Sequence, residues 1–262
     1  MFKLTTQRLY IFHVLVFLTL ALYPFVFKID FTITNVILSL FVFFITACLG
    51  ITMTFHRMLT HKSFTFNSKL IELLFSYFGC LNGTGSSIGW AIIHVDHHEY
   101  SDTDKDPHGT GFWKGLGYKT SKFSKAAYIK LAYLFKDPYH IFMHNYYFLL
   151  ILLHVCVIVL LTSISTFYFL FVIPISLGIL ASIFNNIFTH GNFGHQSYHT
   201  KDNSRNVWWV VPWTFGDGWH NNHHAEPWNW NFSHKWYEID ITGILIKMFF
   251  YLGIAKENKY GY

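Results

Sequence analysis

The chain has 262 residues, of which 52 % are apolar, 21 % aromatic and only 13 % charged, against roughly 25 % charge in average soluble chains. This balance excludes a disordered chain, a collagen and a coiled coil, and it argues against an ordinary soluble domain. Three cysteines without a C-x-x-C exclude a disulfide scaffold and a thiolate zinc site, and the net charge of +5 raises the question of a nucleic-acid partner, which the distribution of Lys and Arg answers below.

Four apolar stretches are long enough, or nearly so, to cross a bilayer as helices: residues 9–27, 33–55, 146–161 and 167–188. The first is too long for a signal-peptide core and lacks a small-residue cleavage site, so it reads as a retained helix. Short turns join the first pair and the second pair, which gives two helical hairpins. Of the 19 Lys and Arg, 18 fall before the first span, in residues 56–145 or after residue 189, and Lys28 alone falls in a hairpin turn. The positive-inside rule then places both termini and both long polar segments in the cytoplasm. Topology therefore accounts for the basic pI, and no nucleic-acid partner is expected. The expected architecture is an all-α integral membrane protein, a single domain over residues 1–262. It has four transmembrane helices and a cytoplasmic helical cap formed by residues 56–145 and 189–262.

Three intermediate stretches need separate readings. Residues 70–93 are moderately apolar but carry Glu72 and a Gly/Ser-rich run, and they are expected to lie under or partly within the cytoplasmic leaflet. Residues 114–136 place six lysines among aromatics and read as an amphipathic helix on anionic headgroups. Seven of the nine Trp follow His190, a density suited to the membrane interface or to core filling.

Histidine is the anomaly: 17 residues, more than the 14 acidic ones. Three boxes stand out: His56-Arg57-Met58-Leu59-Thr60-His61, His94-Val95-Asp96-His97-His98 and His220-Asn221-Asn222-His223-His224. Residues i, i+3 and i+4 share one helix face, so each H-x-x-H-H aims three imidazoles at one point or at two neighbouring points. The i, i+5 pair His56 and His61 shares no face of an ideal α-helix, so it bridges a helix end or serves two ions. Asn186 and His190 lie on one face at the end of the fourth span. The nine imidazoles of His56, His61, His94, His97, His98, His190, His220, His223 and His224 exceed one ion's needs and imply two. His13, His140, His144, His154, His195, His199 and His234 match no spacing and read as ordinary core or surface histidines; His108 stays open.

Nitrogen ligation suits zinc, copper, iron or nickel. There is no H-E-x-x-H for a zincin protease and no carboxylate set for a soluble di-iron bundle. A dimetal site of neutral imidazoles bordering a bilayer fits redox chemistry with O2 on an apolar substrate. Zinc is redox-inert, so iron is the metal expected.

The boxes resemble those of membrane fatty acid desaturases, above all the delta-9 stearoyl and acyl class with its bacterial and cyanobacterial members. The resemblance rests on H-R-M-L-T-H, H-V-D-H-H-E-Y-S-D-T-D-K-D-P-H, N-I-F-T-H and G-D-G-W-H-N-N-H-H, and the order of spans and boxes agrees over nearly the whole chain. Val95 stands where that class usually has Arg, and Asp217 where it has Glu; neither removes a ligand, and both bear on head-group contacts. The resemblance implies O2-dependent conversion of adjacent methylenes of a saturated acyl chain into a cis double bond, with two iron ions on the nine histidines. It also implies that Asn186 holds a water, and Asp96, Asp102, Asp106 and Asp217 are candidates to orient imidazoles. Trp90 is a candidate wall of the acyl tunnel, with Leu40 and Phe44 near its end. An acyl-lipid or acyl-CoA substrate and a separate ferredoxin or b-type cytochrome as electron donor follow. Related di-iron hydroxylases and ketolases share the boxes. A zinc membrane hydrolase or a metal transporter is the reading from another class, and a transporter would place its histidines at mid-membrane.

Overall fold

A computed structural model describes residues 6–108 and 124–258. Among the described residues, three helices are long and apolar enough to cross a membrane: Arg8–Val26, Ile33–Thr60 and Ile164–Thr189. The first is carried by α1 (Thr6–Val26). The second joins α2 (Ile33–Phe43) to a π-helical segment, Phe44–Thr60. The stretch expected at 146–161 forms a helix of only 15 residues, Tyr147–Leu161. It reaches spanning length only together with Pro138–Asn145, across a bend of 74°. Outward-facing apolar side chains such as Leu15, Leu22, Phe41 and Leu160 are exposed along these helices, as expected of surfaces whose solvent is hydrocarbon.

The second span runs five residues past its expected end and carries His56 within it. The reason is the π geometry, in which backbone bonds run from i+5 to i. His61 N–H donates to His56 O at 3.1 Å, and the hydroxyls of Thr54 and Thr60 donate to the carbonyls of Leu49 and Phe55, five residues back.

After a short strand β1 (Phe64–Phe66) come α3 (Lys69–Leu81) and α4 (Ser87–Tyr100). The stretch 70–93 therefore breaks into parts of two helices. Gly83 and Gly85 take φ of 89° and 111° in the break, and neither helix can cross a bilayer alone. Helix α3 packs tightly along the π segment. A Cβ on Gly50 would sit 2.3 Å from the backbone N of Gly79. Gly50→Ala is expected to destabilise the protein by about 1–3 kcal/mol, the usual cost of overpacking, read as a lower midpoint of thermal unfolding in detergent.

Of the stretch 114–136, residues 114–123 lie outside the described residues; the rest contains α5 (Lys125–Lys130). It is followed by α6 (Pro138–Asn145), α7 (Tyr147–Leu161) and α8 (Ile164–Phe167). A π turn, Tyr168–Val172, joins α8 to α9 (Ile173–Thr189). Beyond it lie α10 (Val211–Thr214), α11 (His220–Ala225), α12 (Ile241–Tyr251) and strand β2 (Ala255–Glu257). The structure is mostly helical, but not all-α: β1 and β2 pair antiparallel, Phe64 opposite Glu257, and tie the tail to the end of the second span. Among the seven late tryptophans, Trp219 is core, whereas Trp208, Trp213, Trp228 and Trp236 are exposed.

Candidate metal centre

The nine box and span-end histidines come together in two groups. His56, His61, His94, His98 and His223 form one, and His97, His190, His220 and His224 the other; within each, the ligand nitrogens all lie within 4.8 Å of one another. The two H-x-x-H-H boxes divide in opposite senses. Helix α4 gives its i and i+4 imidazoles to the five-membered group and His97 to the other. Helix α11 gives His220 and His224 to the four-membered group and His223 to the first. His56 and His61 serve the same group, because the π turn brings i and i+5 together with ring centroids 5.0 Å apart.

The outer ring nitrogens fix the tautomers. His56 Nδ1 lies 3.0 Å from Asp217, His97 Nδ1 3.1 Å from Asp106, His190 Nδ1 3.2 Å from Asp102 and His224 Nδ1 2.7 Å from Asp202. His220 Nδ1 lies 3.2 Å from the Asp217 carbonyl. Carboxylates and carbonyls only accept, so these Nδ1 atoms carry the protons. The inner Nε2 atoms of the whole four-membered group are then bare lone pairs. They nevertheless face one another, His97 to His190 at 3.1 Å, His220 to His190 at 3.0 Å and His224 to His220 at 3.1 Å. No proton remains to join them, and a cation between them removes the repulsion. The residues therefore fit a metal ion. In the five-membered group His56, His61, His94, His98 and His223 also meet through Nε2, at 2.9–3.1 Å.

Burial, reinforced by neighbouring imidazoles, holds His61, His94, His98, His220 and His223 well below the ordinary histidine range. Burial also lowers His224 to about 4, although Asp202 opposes it. Neutral imidazole is the ligating form. Around them, burial works against ionisation of Asp106 and Asp202, but the bonds to His97 and His224 prevail and hold both carboxyls below the usual range.

Three of the four acidic residues singled out in the sequence, Asp102, Asp106 and Asp217, face an imidazole. Asp96 does not: two residues from His94, it lies off that helix face, and its Oδ2 accepts the Ser124 N–H at 3.1 Å. Asp202 takes its place as the fourth partner; it sits in an irregular loop, where no spacing signals it. Asp202→Ala is expected to weaken metal affinity about 10–100-fold, read by chelator competition.

Two further sets of residues build the frame. Arg57 is fully buried, with its guanidinium 2.6 and 3.0 Å from the two oxygens of Asp240, 3.1 Å from Asp217 and stacked 3.8 Å over Phe232. An arginine ending an apolar span is a signal the sequence does carry. Asn221 and Asn222 hold α11 in place. Asn221 Oδ1 accepts the Ser197 and Tyr198 N–H groups, and Asn222 Nδ2 donates to Phe232 O and Glu238.

A cavity open to the surface reaches the centre between α9, α4 and the π segment; Ile51, Ile179 and Ile183 are among its apolar walls. Trp90 is on its wall, stacked on His94 at 4.8 Å. Asn186 lines it too, with Nδ2 3.2 Å from His108 Nδ1, and His108 is thereby a cavity residue. Phe44 is not on that wall but packs edge-on against Phe215, and Leu40 faces outward, half-exposed. The unassigned histidines His140, His144 and His154 bond to Glu72 and Ser87, to Ser86 and to Tyr77.

A fatty acid desaturase family profile matches residues 32–242. The chain is 34 % identical over 235 residues to an sn-1 stearoyl-lipid 9-desaturase of Synechocystis sp., covering 85 % of this chain and 71 % of that protein. An sn-1 stearoyl-lipid 9-desaturase of Anabaena variabilis is 32 % identical over 241 residues, 84 % of this chain and 82 % of the relative. An acyl-CoA 5-desaturase of Anemone leveillei is 31 % identical over 229 residues, 85 % and 71 % respectively. With the matched region enclosing all nine clustered histidines, the chain belongs to the fatty acid desaturase family, and it is an oxidoreductase.

Proposed function

We propose that the protein is a membrane desaturase that introduces a cis double bond, at the delta-9 position, into a long saturated acyl chain on a lipid or CoA carrier. The observation that carries this reading is the cavity, with apolar walls from Ile51, Ile179 and Ile183, that reaches two groups of metal-ready histidines. The names of the stearoyl-lipid 9-desaturase relatives support the position, and those relatives favour a lipid carrier.

Methylene C–H bonds have no usable acidity, so no acid–base side chain can do this work. Two iron ions, one per histidine group, supply when bound the O2-dependent oxidation that takes one hydrogen from each of two adjacent carbons. The chain's own residues do the rest. His56, His61, His94, His98 and His223 hold one ion, and His97, His190, His220 and His224 the other. Asp102, Asp106, Asp202 and Asp217 keep each partner's Nδ1 protonated and its ring oriented. Asn186, steadied by His108, holds a water. Trp90 and the isoleucines of α9 hold the acyl chain still, so that proximity selects one carbon pair. The excess of Lys and Arg on one side supports a cytoplasmic centre. There a separate ferredoxin or b-type cytochrome delivers the electrons, drawn by the basic surface.

The test is fatty-acid profiling of a heterologous host expressing the chain beside a His223→Ala control. A new monoene absent from the control, with its position read by mass spectrometry, is the result expected. A hydroxylated product would move the enzyme to the hydroxylase branch. Zinc in place of iron in the purified protein, with no new product, would overturn the reading.

A further inference from the structure

Helix α12 has two unlike faces. The inner one is fixed against the second span. Thr242 Oγ1 lies 2.7 Å from Thr52 Oγ1 and 3.4 Å from Cys48 Sγ, and Ile241 and Leu245 pack on the cluster of Phe43, Ala47, Cys48 and Phe215. The outer face carries Ile244, Met248 and Tyr251, followed by the capping residue Leu252, at i, i+4, i+7 and i+8. All four are exposed, Tyr251 by 80 %. Lys247 is the only charged residue from Ile241 to Leu252.

The second span shows what covers this stripe. Ile37, Phe41, Phe44 and Cys48 follow one another at i, i+4, i+7 and i+11, along one face of that span. Ile37 and Phe41 are exposed on it, whereas Cys48 is fully buried with Thr242 against it. Helix α12 therefore takes the place of hydrocarbon on a face that α2 leaves open to it. Depth follows from the residue count. The span starts at Ile33, just after the charged pair Lys28 and Asp30, and Cys48 lies about 22 Å further along, inside a hydrocarbon layer of roughly 30 Å. At the other end of α12, Phe249 and Phe250 meet the rings of Phe66 and Phe64, which lie beyond the end of the span at Thr60. With a length of about 16 Å the helix cannot cross a bilayer. It slopes from the hydrocarbon toward the headgroups.

We propose that Ile244, Met248, Tyr251 and Leu252 lie in the lipid of the leaflet on the metal-centre side, so that α12 anchors the tail to the bilayer without spanning it. The proposal rests on the second span crossing the membrane and not on the reaction. Little polar cost opposes it. The helix satisfies its own backbone, Asp240 caps it through the Gly243 N–H, and Arg57 neutralises that carboxylate. The Lys247 stem is long enough to carry its ammonium out to lipid phosphates. The lipid surface thus holds the tail at the point where Asp240 grips Arg57, next to the ligand His56.

The test measures depth on the whole chain. The background is Cys156→Ser, because Cys156 is exposed whereas Cys48 and Cys80 are buried. Met248→Cys is labelled with a small fluorophore in phosphatidylcholine vesicles, beside Phe41→Cys as the lipid-facing reference and Lys201→Cys as the water-facing one. The quenchers are a doxyl group on the lipid acyl chain and iodide in the water. Doxyl quenching at Met248→Cys should approach that at Phe41→Cys and exceed that at Lys201→Cys several-fold, with iodide giving the reverse order. Iodide quenching equal to that at Lys201→Cys would put the face in water and overturn the proposal. Exclusion of both quenchers would mean that protein covers it, a second copy or a partner, and would overturn it equally. If Met248→Cys is not recovered, the wild-type chain decides by photolabelling with a lipid that carries a diazirine in its acyl chain. Label on Met248 or Tyr251 is then expected, and label on the second span with none between Ile241 and Leu252 would overturn the proposal.

Discussion

His190→Ala should abolish desaturation and remove iron from the four-histidine group while leaving the five-histidine group loaded. His190 touches both His97 and His220 through Nε2 and is held from behind by Asp102. The group has only four imidazoles, so losing this one leaves three and frees two of them from their central neighbour. The five-membered group contains no contact to His190 among its Nε2 pairs. On the two-iron proposal, elemental analysis of purified protein should therefore show iron falling from two per chain toward one. Activity should fall far beyond the ~10–100-fold typical of losing an outer partner. The companion Asp102→Asn keeps His190 and should stay within that smaller range. Equal losses of iron from both groups would mean that they bind as one unit.

Arg57→Met should destabilise the protein by about 3–5 kcal/mol, because it strands buried carboxylates rather than merely removing a bond. Arg57 and Asp240 are each at most 1 % exposed, and Asp217 shares the guanidinium. Asp240 also caps α12 through the Gly243 N–H and accepts the Phe232 N–H, so its charge cannot leave without disturbing both. The expected observation is little folded protein in detergent and a lowered unfolding midpoint in what remains. Pairing Arg57→Met with Asp240→Leu removes the stranded charge and should recover part of the loss. If the double variant is no better than the single one, the cost lies in lost packing over Phe232 instead.

Histidine spacing made the centre legible, because an apolar chain has few reasons to carry imidazoles at i, i+3 and i+4. What spacing could not show was the division. His97 and His223 go to the group opposite their box-mates, and only the mutual position of α4 and α11 decides that. The pair His56 and His61 needed a π-helical turn, which no residue pattern announces. Asp96 sits inside a box yet faces elsewhere, whereas Asp202 is remote in sequence and meets His224; proximity along the chain is a poor guide to which carboxylate reaches a ring. Hydropathy found three spans cleanly. It could not see that the stretch at 146–161 is short and continues across a bend, nor that residues 70–93 break at Gly83 and Gly85. The strand pair β1–β2 is three residues long, too short to leave a periodic signal.

The facing lone pairs bear on the lifetime of the protein. The nine ring nitrogens come from the end of the second span, α4, the residue that ends α9, and α11, and in the four-membered group nothing but a cation can hold them at 3 Å. Newly made chain that has not acquired its metal carries a repulsive knot where its segments should join. Metal binding to the native state alone then adds to its stability, so chelated protein should be cleaved faster in limited proteolysis than loaded protein. On the two-iron proposal, metal supply should set the abundance of the protein as well as its activity, read as faster loss of the chain from iron-depleted cells.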